Sequence, residues 1–299
     1  MPLARELRQR VLKFLDVDRH SSYAAHLDRC FEYPEGQFWA GLRQIDPSNN
    51  LQFEELFTEF RRQRVTSKSL GPAYVAEYVL RIGCARLLWC LHGLNPFPEQ
   101  AYRNFARKLA SPDFCNTVIS LNWDLVIETA LTESGFPWTY SLSNTGAIAI
   151  LKPHGSINWN RYLREGLKND SGLWQPIGRG SRLSFPIETP LKNPDQQGIN
   201  PDLLYALFPG DPDLPENDED LRRIWGEIGK AVSESAKVVF IGYSLPNYDS
   251  FAANFFHEHI QGTVEVYNPS DDDRQKYRRL FGTRIKGEGG AFSSSPYAN

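Results

Sequence analysis

Four short stretches of the 299-residue chain end in residue types that can do chemistry together. "SLNWD" supplies Asn122 and Asp124, "KPHGS" supplies His154, Gly155 and Ser156, "GYSLPNYD" supplies Gly242, Ser244 and Asp249, and "YNPS" supplies Asn268. An Asn amide carries donor and acceptor on one planar group, so it can hold a water or a hydroxyl in a fixed attacking position. A neutral histidine can take the proton from that group, and its ordinary pKa of about 6.5 suits the task near neutral pH. Asp124 has two readings, favouring developing cationic charge or capping the helix that follows. Any one stretch alone is weak evidence, because Asn, Asp and Ser commonly cap helices; four strand ends together outline a site.

The elements that must carry these residues are short apolar runs of strand length at 116–121, 147–152, 237–242 and 263–268. Continuous apolar runs suit strands buried on both faces, the condition of parallel sheets covered by helices. Helical patterns follow the first, third and fourth runs, at 124–134, 248–260 and 271–281, and this alternation predicts an α/β fold. In such sheets ligands occupy the crevice at the carboxyl ends of the strands, which is where the four stretches fall. Earlier segments, 3–15, 51–63, 72–92 and 99–110, carry apolar residues at helical spacing. Residues 160–218 are rich in Pro, Gly, Asn and Asp and read as an irregular insertion, either a specificity element or a surface excursion. The segment "GEGGAFSSSPYAN" is expected to fray.

Composition narrows the function classes. A hydrophobic content of 41% supports a sizeable core, and a net charge of −3 provides no basic footprint for nucleic acid. The basic cluster "RRQR" at 61–64 reads as a solvated helix end. No apolar run of membrane-spanning length is present, and the amphipathic "MPLARELRQRVLKFL" does not read as a signal sequence, so a cytoplasmic location is expected. Cys30, Cys84, Cys90 and Cys115 form no CxxC pair, so neither zinc nor a disulfide framework is expected. Cys84, Cys90 and His92 read as core residues of one helix.

"SLNWD", "KPHGSINW" and "IGYSLPNYD", in this order, resemble the motifs of the sirtuin-like (silent information regulator two-like) NAD-consuming domains of the bacterial, antiphage-defence type. "YNPS" adds a weaker fourth match. The resemblance covers 1–285 and implies one Rossmann-like α/β domain, a mostly parallel sheet flanked by helices. A helical insertion in its first half (16–110) and the 160–218 insertion would interrupt it, and 286–299 would form a flexible tail. It implies Asn122 and His154 as the catalytic pair. It places Gly242, Ser244 and Asn268 at the dinucleotide, with Asp124, Gly155, Ser156 and Asp249 completing the binding set. The implied reaction is hydrolysis of NAD, as substrate, to nicotinamide and ADP-ribose. The pyridinium departs as a neutral base, so the chemistry needs orientation and a base but no acid for the leaving group. A non-catalytic NAD or ADP-ribose sensor is the alternative, and a protein deacylase is disfavoured by the absent zinc cysteines. An activity that destroys NAD must be restrained, so a homo-oligomeric switch or a regulatory protein partner is expected.

The sequence departs from that pattern at its start. The family opens with a strand and a Gly-Ala-Gly-x-Ser turn whose backbone amides cradle the pyrophosphate; "MPLAREL" resembles the segment just after it. Either the native start lies upstream or the cradle is lost. The first is expected, since omitting an interior strand leaves backbone groups unpaired, and residues 1–299 alone are expected to bind and cleave NAD poorly. "GRGS" at 178–181 follows no strand pattern and does not substitute.

Overall fold

The computed structural model describes residues 100–112, 114, 117–143, 146–162, 182–184, 204–206, 219–247 and 249–299. The helical patterns at 3–15, 51–63 and 72–92, all four cysteines, His92, "RRQR", "GRGS" and most of the 160–218 insertion lie outside the described residues. The chain divides into two compact units, one joining 1–94, 157–186 and 191–211, the other 95–156, 187–190 and 212–299. All nine candidate residues belong to the second.

The fold is mixed α/β with parallel sheets flanked by helices. The second unit opens with α1 (Gln100–Leu109), β1 (Thr117–Ile119), α2 (Val126–Glu133), β2 (Trp138–Thr139) and β3 (Ile148–Leu151). β4 (Gly155–Tyr162) starts in the second unit and continues into the first, to which β5 (Arg182–Ser184) and β6 (Leu204–Ala206), its partners in a separate sheet, belong. The second unit continues with α3 (Glu219–Glu234), β7 (Lys237–Ile241), α4 (Ser250–His259), β8 (Thr263–Tyr267), α5 (Asp271–Phe281) and β9 (Ile285–Gly289).

β3 is central in its sheet, parallel to β1 on one edge and β2 on the other. All four of its residues are buried, which is why the run is continuously apolar rather than alternating. Ile148 and Ile150 pack with Val118 of β1, Ala106 and Leu109 of α1, and Ala130 and Leu131 of α2. α2 stops in a Schellman motif: Gly135 takes φ 75°, its N–H donates to Thr132 O, and Phe136 N donates to Leu131 O. Glycine suits this position because other residues strain there.

β7, β8 and β9 form a second all-parallel sheet in that order. Phe240, Val264 and Val266 are buried on one face, and Phe240 meets the rings of Phe256 on α4 and of Tyr277 and Phe281 on α5. α5 has Ser270 as its N-cap, with Oγ accepting from Asp273 N, followed by three aspartates in the first turn and arginines in the last, the charge order that suits the helix dipole.

The opposite face of β8 carries Glu265 and Tyr267, which lie across Gly287 and Gly289 of β9. A Cβ on Gly289 would come within 2.6 Å of the Tyr267 ring, so this position requires glycine. The segment from 286 onward differs from its expectation as a fraying tail. Its first residues complete β9, and Tyr297 and Ala298 are buried. The Tyr297 hydroxyl donates to Glu265 Oε2 at 2.6 Å, Phe292 packs on Tyr102 and Phe105, and Asn104 Nδ2 donates to Ala298 O at 2.9 Å. Anchoring comes from aromatic burial, which a Gly- and Ser-rich composition obscures. Tyr297→Ala is therefore expected to cost about 3 kcal/mol of stability, measured by equilibrium denaturation. A change below a few tenths would mean that the tail does not support the sheet.

Candidate functional site

His154 sits in a tight turn directly after β3. Gly155 N donates to Lys152 O at 3.1 Å, closing a four-residue turn with Pro153 in its second position, the place where proline presets the backbone. Gly155 then leaves the turn at φ 78°. The residue is 6% exposed, and its imidazole is bound at the ends of two further strands. It makes a hydrogen bond with the Leu121 backbone, just past β1, and its Nε2 lies 3.4 Å from Asp249 Oδ2, past β7. Burial draws its pKa below the ordinary value, with the Asp249 charge and the Leu121 bond opposing that shift. The net shift favours the neutral imidazole, the form that accepts a proton.

Asn122 follows Leu121 and is exposed at the same strand end. The structure thus brings the His154 ring against the residue preceding Asn122. Asp124 Oδ1 accepts from Val126 N at 3.1 Å, an Asx turn just before α2, whose N-cap is the next residue, Leu125. Ser156 is fully buried, its hydroxyl accepting from Lys152 Nζ at 2.9 Å and lying 3.5 Å from Trp123 O.

Lys152 escaped the sequence reading. It is fully buried, and its ammonium donates to Glu128 Oε1 at 2.9 Å, Ser156 Oγ at 2.9 Å and Asp124 O at 2.5 Å. Glu128, 2% exposed, also accepts from the Tyr140 hydroxyl at 3.1 Å. One cation thus ties the "SLNWD" and "KPHGS" loops together. The available signal was a lysine closing the apolar run "AIAILK", four residues before a serine.

The third and fourth stretches meet around the carbonyl of Tyr243. It accepts from Asn268 Nδ2 at 3.2 Å and from the Tyr277 hydroxyl at 2.8 Å, while Asn268 Oδ1 accepts from Ser270 N at 2.9 Å. Asn268 is 3% exposed, with both ends of its amide bonded. Ser244 is half-buried, and its carbonyl accepts from Lys276 Nζ at 3.0 Å. Gly242 is exposed at the end of β7 with φ 71°, and a Cβ there would meet nothing within 4 Å; its backbone conformation, not space, calls for glycine. Ser244 and Asn268 hold the loop that carries Asp249, and Asp249 faces His154.

Among the described residues, no group of three or more His, Cys, Asp or Glu side chains is placed to hold a metal ion. No described helix is long and apolar enough to cross a membrane. No protein-family model matches the chain, and no curated protein matches it. Among solved structures, one of Sir2Tm bound to a propionylated peptide is similar over 83% of this chain and 83% of that chain, at 12% identity and a TM-score of 0.40.

Proposed function

We propose that this chain hydrolyses NAD to nicotinamide and ADP-ribose, with Asn122 and His154 as its catalytic pair. The observation that carries this reading is the placement of His154, a buried imidazole at the ends of β1 and β3, beside the segment bearing Asn122 and 3.4 Å from Asp249. The motifs "SLNWD", "KPHGSINW" and "IGYSLPNYD" supply the substrate class through their resemblance to sirtuin-like NAD-consuming domains.

In this reading water adds to the anomeric carbon of the ribose. The bond to the pyridinium nitrogen breaks, and its electron pair leaves with neutral nicotinamide. Asn122 orients the water, and His154 takes the proton that water loses, later returning it to solvent. Gly242, exposed, and Ser244 offer the end of β7 to the dinucleotide. Gly155, Ser156 and Asn268 act through the loops they shape, and Asp124 acts through the start of α2. The same resemblance supplies the cellular role in this reading, an antiphage-defence effector; because unrestrained NAD loss would stop growth, its activity is released by an assembly change or a protein partner.

The test is nicotinamide release by the full chain, followed by chromatography, with NAD affinity measured in parallel by calorimetry. Asn122→Ala is expected to lose about 100-fold in turnover at saturating NAD while affinity changes less than threefold, because orientation acts in the transition state. NAD binding by the wild type without nicotinamide release would favour a non-catalytic sensor. An affinity collapse with normal turnover would make Asn122 a binding residue.

A further inference from the structure

We propose that Asp249 is a positioning residue for His154, and that Tyr243 positions Asp249 in turn. This inference rests on the reading of His154 as the proton acceptor.

Asp249 occupies the N-cap of α4, where an aspartate ordinarily accepts from the first free N–H groups of the helix, a bond worth about 1 kcal/mol. Its side chain makes no such bond. The carboxylate, 2% exposed, turns inward instead: Oδ2 accepts from the Tyr243 hydroxyl at 2.5 Å and faces His154 Nε2 at 3.4 Å. A cap forgone for a buried partner points to a geometry held for another purpose. A carboxylate so enclosed is poorly placed to meet a dinucleotide directly.

The loop that presents Tyr243 is itself constrained. Leu245, buried and preceding Pro246, has φ 47°, and it is the one non-glycine residue with positive φ among the described residues. Such a conformation costs on the order of 1–3 kcal/mol and persists only where surrounding contacts enforce it. Here Asn268 and Tyr277 both bind the Tyr243 carbonyl, fixing the residue at its backbone while Asp249 fixes its hydroxyl. The turn after β3, the loop after β7 and the N-cap of α4 therefore converge on one imidazole.

The arrangement has a chemical consequence. When His154 accepts a proton it becomes a cation in a buried place, and a carboxylate at Nε2 stabilises that cation and fixes which ring edge faces the strand ends. The charged and polar groups bonded around the ring include Asp249 at the N-cap of α4, with Tyr243 bonded to that carboxylate, and the Leu121 backbone past β1. Lys152 in the same turn is paired with Glu128.

Asp249→Asn and Tyr243→Phe in the full chain test the assignment. Two readouts apply: kcat and KM for nicotinamide release across pH, and the nitrogen-15 titration of the His154 ring, assigned against His154→Gln. Asp249→Asn is expected to lower kcat about 10- to 100-fold with KM within twofold, and to move both the acid limb of the rate profile and the ring titration to lower pH. Tyr243→Phe is expected to act in the same direction, about two- to fivefold. A raised KM at unchanged kcat, with the ring titration unmoved, would overturn the proposal and make Asp249 a substrate contact. If the wild type releases no nicotinamide, the proposed activity fails, yet the ring titration still decides whether Asp249 holds His154.

Discussion

Lys152→Met is expected to lower the unfolding free energy by about 3–5 kcal/mol, because it leaves the buried Glu128 carboxylate without its cation. Against a typical total of about 5–15 kcal/mol this is a large fraction. The ammonium has three donors, and the structure supplies three acceptors: Glu128 Oε1, Ser156 Oγ and Asp124 O. Combining Lys152→Met with Glu128→Gln removes both charges and should recover most of the stability, as neutral replacement of buried pairs commonly does. Turnover should remain low, since the Asp124 carbonyl and the Ser156 hydroxyl still lack the donor that binds their loops together. Denaturation midpoints for wild type, single and double variants separate the two effects. A single variant as stable as the wild type would show that the pair contributes nothing.

His154→Ala is expected to reduce NAD cleavage by about 10²–10⁴-fold, the range that general-base catalysis supplies, at a stability cost of about 1–3 kcal/mol because Asp249 loses a buried partner. The wild type should show a pH signature that the variant lacks. Burial lowers the His154 pKa in the folded chain, so between that lowered value and the ordinary value of about 6.5 the unfolded chain binds a proton that the folded chain does not. Stability therefore falls as pH drops through this window and is indifferent to His154 above it. The acid limb of the rate profile should lie below the ordinary histidine value for the same reason. Thermal melts and nicotinamide release from pH 4.5 to 8 check both. Wild-type rates in a folded His154→Ala chain would remove this residue from the mechanism.

The parts of the fold legible in the sequence are those in which one segment satisfies itself. β3 is readable because a strand buried on both faces needs every side chain apolar, and α4 and α5 show helical spacing after strand-length runs. β8 follows the rule only by half: Val264 and Val266 are buried, while Glu265 and Tyr267 face a surface that Tyr297 helps to cover. β9 was hidden, since its alternate glycines are strand residues only because Glu265 and Tyr267 need room above them. The site divides in the same way. Asn122 and His154 stand out by residue type at strand ends. Lys152, Glu128 and Tyr243 matter through partners that no local spacing encodes, with 24 residues separating Lys152 from Glu128.

The bond from Asn104 to Ala298 spans 194 positions, and that from Lys108 to Pro296 spans 188. Contacts so distant along the chain carry a kinetic penalty, because loop-closure entropy is met before any bond rewards it. During synthesis α1 emerges long before the 292–298 segment that packs on it. Its bond to Ala298 cannot form until that residue has cleared the ribosome. Until then the Glu265 and Tyr267 face of β8 lacks Tyr297, and an incompletely covered strand face is where nascent chains associate wrongly. Refolding from denaturant should accordingly show a slow phase in which Tyr297 becomes buried after the β7–β8 pairing has formed.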